Sequence, residues 1–436
     1  MALLSLALWG ILAAGTAATP AKLWKERIKN VVVLVQENRS FDTFLGGLTY
    51  NKSIDGVLNH PYCNPLDLKD RNSALVCARP VAGNVAADDP NHGISGGNMQ
   101  IYGTYHPDED RIKKGYYDTD SDLMKGFVAE QAFLYSMDDA ARAAEVINYF
   151  TPDHIPVFAT LAENFVLFDR WFAAVPGPTN PNRAYITSGT SYGHGYNDVD
   201  FDTSALPQRS IFQQLTEKGI SWINYSNATG FLPDALFYRW TVESGAARTN
   251  VKPIEQFYED AAQGTLPQLT YINPECCVWQ SFHPPSPVSV GEGFVKSVYE
   301  ALRASPQWND TLFILTFDEH GGFADHVVPP VNVPRGDELT YTETAPDGRS
   351  ITFDFTRLGM RVPTLLISPW VDRGIVVNKP STRGEYTHTS IPAFLAKLWD
   401  LDILTNRVGW SATFEDLILS ELRADTPEKL PEPADF

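Results

Sequence analysis

Cations are scarce in this chain: 34 Lys and Arg face 53 Asp and Glu, for a formal net charge of −19. That balance argues against a nucleic-acid partner, whose phosphates would be repelled. It also disfavours purely electrostatic docking on anionic membranes. Internal repeats, low-complexity tracts and Gly/Ser linkers are missing, which leaves one folded unit as the reading. Beyond the N-terminus no apolar run is long enough to span a bilayer. A Walker loop, a G-x-S-x-G elbow and an H-E-x-x-H helix are absent as well, so the chemistries they carry are set aside. What is present is ample apolar content, 43% hydrophobic and 12% aromatic against 20% charged, enough for a large core.

Cysteine is limited to four residues, an even number that suits an oxidising compartment. Cys63 and Cys77 could close a local loop and leave adjacent Cys276 and Cys277 a vicinal bridge; cross-pairing is equally open. The opening MALLSLALWGILAAGTAATPA lacks a basic n-region apart from the α-amino group, yet its apolar run and small residues fit a secretory signal peptide cleaved near Ala18. The expectation is a signal peptide over 1–18 and a single catalytic domain over 19–436, secreted to the extracellular space. Sequons at Asn51, Asn224, Asn227 and Asn309 agree with secretion. A fifth at Asn38 is expected to stay unmodified.

Short β-branched runs predict buried parallel strands at 30–35, 221–224, 269–272, 312–317 and 364–367. Helical patterns lie between them, as at 155–163, 293–303 and 390–399. The alternation predicts an α/β sandwich with a mainly parallel sheet. Glu37-Asn38 follows the first run and Asp318-Glu319-His320 the most apolar one. Active sites of such sheets gather at the carboxyl ends of strands, so two acidic pairs there can converge.

Glu37, Asn38, Asp318 and Glu319 offer hard oxygen ligands suited to a divalent cation; the plain alternative is loop-capping carboxylates paired with Arg39 and Arg183. Thr179, among glycine and prolines ahead of a helical segment, reads as an N-cap. The same place gives its hydroxyl the positive end of a helix dipole, and a metal ion would make it a usable nucleophile. Asn182 and Arg183 could hold phosphate oxygens. His92, His283, His320, His326 and His388 stand beside Gly, Pro or acidic motifs and are candidate acids, while His60, His106, His154 and His194 read as structural. Cys63-Asn64-Pro65-Leu66-Asp67 starts like the sulfatase C-x-P-x-R signature but has Asp67 where arginine is required.

Three motifs in order, Glu37-Asn38-Arg39-Ser40-Phe41-Asp42, Gly177-Pro178-Thr179-Asn180-Pro181-Asn182-Arg183 and Asp318-Glu319-His320-Gly321-Gly322 with Asp325-His326, resemble the phosphoesterase family of phosphatidylcholine-type phospholipases C and acid phosphatases. The likeness runs from about Lys29 to about Trp399. Ser305-Pro306-Gln307-Trp308 and the Cys276-Cys277 pair are similar to fungal secreted members. The resemblance implies an alkaline-phosphatase-like three-layer sandwich. It also implies one divalent metal on Glu37, Asn38, Thr179, Asp318 and Glu319, with Zn²⁺ or Ca²⁺ favoured and Mg²⁺ or Mn²⁺ open. Thr179 would be the nucleophile. His92 and His283 match phosphate-contacting positions, one of them the leaving-group acid, and His326 and His388 join them as substrate-binding candidates. Ala324 stands where an aromatic is common in the family.

The expected function is a phospholipase C releasing diacylglycerol through a phosphothreonine intermediate, with peripheral contact to a lipid surface. A broad-specificity acid phosphatase using the same site is the alternative, and a non-catalytic binding protein a distant third. An apolar rim would separate the first two, with Phe172, Trp222, Trp279, Phe282 and Phe323 as candidates.

Overall fold

Seven consecutive residues from Asn30 to Gln36 are buried, and so are seven from Thr311 to Phe317. Strands wholly buried along their length must be covered on both faces. In the computed structural model, which describes residues 20–115, 123–136, 139–227, 232–274 and 280–436, these two strands lie side by side. The proposed signal peptide, Cys276, Cys277 and Trp279 lie outside the described residues.

The central sheet has eight strands: β1 (Asn30–Gln36), β2 (Val166–Phe168), β3 (Trp222–Ser226), β4 (Val251–Pro253), β5 (Leu269–Asn273), β6 (Thr311–Phe317), β7 (Thr364–Ile367) and β8 (Ile375–Val377). Their order is β8-β2-β7-β6-β1-β5-β3-β4. All pairings are parallel except those of β7, which runs antiparallel to both β6 and β2. The expectation of a parallel strand at 364–367 is therefore corrected, since an apolar run reads the same in either direction. The mainly parallel α/β class holds.

Seven helices support the sheet or the residues at its carboxyl edge: α1 (Ile94–Tyr102), α2 (Phe127–Leu134), α3 (Pro156–Asn164), α4 (Thr179–Ser188), α5 (Ile254–Gln263), α6 (Val288–Ala304) and α7 (Ser390–Trp399). α6 packs against α3 and α5, α4 packs against α7, and α1 packs against α2. No helix among the described residues is long and apolar enough to cross a membrane.

Phe172, Trp222, Phe282 and Phe323 are buried, so none of them forms an exposed apolar rim. Phe282 instead packs against Phe44, Phe158 and Phe317 at ring distances of 5.3, 5.7 and 5.4 Å, fixing the segment that carries His283. Cys63 and Cys77 are disulfide-bonded across a small antiparallel hairpin, the local pairing among those left open. Asn224 is wholly buried with its amide bonded to Asn273, so its sequon is inaccessible in the folded chain. Asn38 is equally buried.

Candidate active site

The register of β1 and β6 pairs Gln36 with Phe317, which makes Glu37 and Asp318 neighbours at the carboxyl edge of the sheet. Two turns interlock there. Asn38 adopts φ 55° and donates its N–H to Asp318 Oδ1 at 3.3 Å, while the Arg39 N–H reaches the Glu319 carbonyl at 3.2 Å. Gly321, at φ 67°, lies so close that a Cβ would sit 2.4 Å from the Asn38 carbonyl oxygen. Only glycine satisfies both that dihedral and that approach.

Within this pair of turns, Glu37 Oε2, both polar side-chain atoms of Asn38 and Glu319 Oε1 are buried without a hydrogen-bond partner. Orphaned buried oxygens are costly unless something satisfies them. Burial and mutual repulsion push Glu319 well above the carboxylate range. Asp318 is raised to about 7 by burial, with Arg183 pulling the other way. Excess buried negative charge with unfilled oxygens suits a divalent cation, and the donor set is the hard-oxygen kind. The groups of three carboxylate or imidazole ligands already within 4.8 Å of one another lie elsewhere, at Asp55/His60/His326, Asp42/Asp325/His326, Asp89/His92/His283 and His194/Asp198/Asp200 among the described residues. The Glu37–Asp318–Glu319 set is thus matched in chemistry but not drawn together.

Arg183 explains part of that spacing. Its Nε donates to Asp318 Oδ2 and one terminal nitrogen to Glu37 Oε1, both at 3.0 Å, and the other faces Asp234 Oδ2 at 3.6 Å. Burial opposes its charge, but Asp234, Asp318 and Glu37 together hold it above its ordinary value. Its donors are turned to protein groups and hold Glu37 and Asp318 in place, where the expectation from sequence is that Arg183 holds phosphate oxygens. Asn182, expected to hold phosphate oxygens, is bonded to the protein as well. It is fully buried, accepts from the Val175 N–H at 3.0 Å and donates to the Gly177 and Pro178 carbonyls at 2.9 and 3.1 Å. It shapes the loop that presents Thr179.

Thr179 is the first residue of α4, with Pro178 in the capping position and no side-chain cap. The N-cap role the sequence allowed is therefore not what the hydroxyl does, and no hydrogen bond holds it among the described residues. The loop before it packs on α1, where Gly177 lies against Ile94 and Gly97 against the Pro176 carbonyl. Arg183, one turn on, ties α4 to Glu37 and Asp318. A half-buried, uncommitted hydroxyl is left at a helix N-terminus beside the acidic turns.

His92 and His283 come together from distant segments, their rings 6.0 Å apart. Each pairs Nδ1 with a backbone carbonyl at 2.7 Å, Pro90 for His92 and Pro284 for His283. A carbonyl accepts only, so Nδ1 carries the proton in both rings and Nε2 is left for other partners. Asp89 lies between them, 3.6 Å from His92 Nδ1 and 3.9 Å from His283 Nε2. Burial lowers the His92 pKa, with Asp89 and Glu37 opposing, which places this pair in the field of the acidic turn. Asp89 stood in the sequence beside His92 without a role; its part became visible only when His283 arrived from the far side.

The remaining histidines differ from expectation. His388 is sealed in the core, its Nε2–H donating to the Asp318 carbonyl and its Nδ1 accepting from Trp171 Nε1 at 3.4 Å. Burial lowers it to about 4. Both ring nitrogens of this expected substrate-binding residue are engaged by the protein, and one of them supports Asp318. His320 is buried as well, bonded to Gln100 at 2.8 Å. His326 sits between Asp42 at 2.6 Å and Asp55 at 3.3 Å, with its ring stacked on His60. Expected as a substrate binder, it is placed in a charge network with Asp42 and Asp55.

Burial opposes the charge on His326, but its bonds to Asp42 and Asp55 raise it to about 10. An imidazolium stabilised on folding contributes fully below its unfolded pKa of about 6.5, and that contribution drains away as pH rises through about 10. Urea unfolding of the wild type is therefore expected to show stability falling across that window. The His326→Gln variant should give a flatter curve, and equal slopes would refute the pairing.

A family model described as the Phosphoesterase family matches residues 28–402. Non-specific phospholipase C6 of Arabidopsis thaliana is 39% identical to this chain, over 98% of it and 80% of the plant protein. Non-hemolytic phospholipase C of Burkholderia pseudomallei is 27% identical, over 84% of this chain and 54% of the bacterial one. Among solved structures, an alkaline phosphatase superfamily protein from Vibrio parahaemolyticus aligns with 59% of this chain and 63% of its own, at a TM-score of 0.37 and 13% identity.

Proposed function

The chain belongs to the phosphoesterase family and is a phosphoric ester hydrolase, and we propose that it is a metal-dependent phospholipase C acting on glycerophospholipids. The observation that carries the mechanism is the uncommitted Thr179 hydroxyl at the start of α4, set beside buried oxygens that lack partners. Glu37, Asn38, Asp318 and Glu319, with Thr179, would hold the divalent cation. When bound, it would lower the hydroxyl pKa and neutralise phosphoryl charge. Thr179 Oγ1, its proton released to solvent, attacks phosphorus as the alkoxide, and the bond to the diacylglycerol oxygen breaks. That oxygen takes a proton from Nε2 of His92 or His283, which enters the step as an imidazolium protonated at both ring nitrogens and leaves it neutral. Water then cleaves the phosphothreonine, releasing the phosphorylated head group. The α4 N-terminus favours the negative charge that develops, while Arg183 keeps Glu37 and Asp318 in place.

The relatives named for phospholipase C activity support the lipid substrate over a monoester. Secretion, with 1–18 removed and 19–436 as one catalytic domain, belongs to the same proposal. Hydrolysis of phosphatidylcholine vesicles beside a soluble aryl phosphate monoester tests it. Diacylglycerol release well above the monoester rate is expected, lost on chelation and restored by a divalent cation. Monoester turnover with untouched vesicles would favour the acid phosphatase reading. Full activity in excess chelator would remove the metal from the mechanism.

A further inference from the structure

Large apolar side chains stand exposed at many points on the described surface, and two groups of them lie on segments tied to those that carry the site. One group is Tyr192, Tyr196 and Val199, with Leu339 beside them; Val199 is 65% exposed. Their loop follows α4 and is tied back to its start, because the Asn180 N–H, next to Thr179, donates to Asn197 Oδ1 at 2.8 Å. Leu339 belongs to the same wall, since Thr190 bonds to Asp337 and a Cβ on Gly193 would meet the Leu339 side chain. The other group is Val85 and Phe133, the latter 60% exposed at the end of α2. On that side Glu130 of α2 accepts from Asn91, the neighbour of His92, at 2.7 Å. Asn84, beside Val85, bonds to Ser289 on the helix that comes after His283. The hairpin strand Tyr341–Thr344 links the two sides, because Glu343 accepts from the Ser95 N–H at 2.8 Å at the start of α1.

We propose that these two loop groups form the surface by which the enzyme docks on a zwitterionic phospholipid interface, with the Thr179–His92 site between them. The inference rests on the phospholipase reading and supplies the apolar rim that the buried Phe172, Trp222, Phe282 and Phe323 do not. Its chemistry selects the occupant. Tyrosine places an apolar ring and a polar tip at a boundary between hydrocarbon and water. The charges interleaved with it are of both signs and paired, Asp198 and Asp200 with His194 and Arg335 with Glu338 on one side, Arg142 with Asp88 on the other, and Asp89 adds a further carboxylate. Paired charges of both signs with tyrosine faces suit a zwitterionic surface of choline ammonium and phosphate groups, whereas a net charge of −19 opposes an anionic one.

The test separates docking from turnover. Full-length protein carrying Thr179→Ala is sedimented with phosphatidylcholine vesicles, alone and with Tyr196→Ser plus Val199→Ser, or with Val85→Ser plus Phe133→Ser. Each pair is expected to weaken vesicle partitioning by roughly tenfold or more, since each removes apolar area from the contact. Ile375→Ser, on the edge strand β8, should not. In the otherwise unmodified enzyme the same pairs should slow vesicle hydrolysis while leaving turnover of a monomeric short-chain phosphatidylcholine unchanged. Unchanged partitioning would overturn the surface even if the lipid is hydrolysed. Binding to vesicles that are never hydrolysed would instead overturn the phospholipase reading and keep the surface. Loss of self-association in place of lipid binding would reassign the patch to a second copy of the chain.

Discussion

Replacing Thr179 with alanine is expected to remove turnover almost completely, by roughly 10⁴-fold or more in kcat, with the fold intact. The size comes from the role: a nucleophile lost from covalent catalysis leaves only binding and electrostatic stabilisation. The intact fold comes from the structure. The hydroxyl caps nothing, and α4 starts at Thr179 behind Pro178 without a side-chain cap. Had the threonine been an ordinary N-cap, alanine would cost about 1 kcal/mol of stability and little activity, so the two readings predict opposite outcomes. Thr179→Ser keeps the hydroxyl and should recover a large part of the rate. Acid quenching of the wild type during turnover should trap a phosphorylated peptide containing Thr179, absent in the alanine variant. Substantial residual activity without that adduct would transfer the attack to water and sink the covalent step.

The residues that made the site legible in sequence were those fixed by the backbone. Glu37 and Asp318 come directly after long apolar runs, and a parallel sheet forces the ends of such runs together, so their meeting could be read from sequence alone. Thr179 was legible for a related reason, because the prolines and glycine around it announce a helix start. Side-chain direction was not legible. Arg183 and Asn182 lie near Thr179 in sequence, but their spacing around α4 turns them toward Glu37, Asp318 and the loop carbonyls. His388 and His92 stood among the same candidate acids, and burial against Trp171 and the Asp318 carbonyl separates them. Strand direction was hidden as well, since Thr364–Ile367 carries no mark of being antiparallel. The exposed tyrosine and valine groups have no periodicity, and nothing in their local sequence distinguishes them from core aromatics.

Arg361→Met is expected to cost about 3–5 kcal/mol of unfolding free energy, the usual consequence of removing one partner from a buried charge network. Arg361 is fully buried over the Phe41 ring. Its Nε meets Asp325 Oδ1 and a terminal nitrogen meets Asp42 Oδ1, both at 2.9 Å, while the other reaches the carbonyls of Asp55 and Asp169 at 2.7 and 2.8 Å. Methionine fills similar volume, so the loss measures charge and hydrogen bonds more than a cavity. Two carboxylates would then share one imidazolium, His326. Asp325 is already raised to about 6 by burial, even with Arg361 opposing that shift. Without the guanidinium it rises further and binds a proton in the folded state at a pH where the unfolded chain does not. The deficit relative to wild type should therefore narrow as pH falls from about 7 toward 5, which urea titrations at each pH would detect. Arg361→Lys keeps one charge but not the planar fork, so it should fall between the two. A deficit independent of pH would mean that the lost backbone hydrogen bonds, and not the stranded carboxylates, set the cost. The network also bears on catalysis, because the Phe41 N–H donates to the Arg361 carbonyl at 3.0 Å, directly after the turn that carries Glu37 and Asn38. Arg361 touches no reacting atom, so any fall in kcat should track the loss of stability and be relieved at lower temperature.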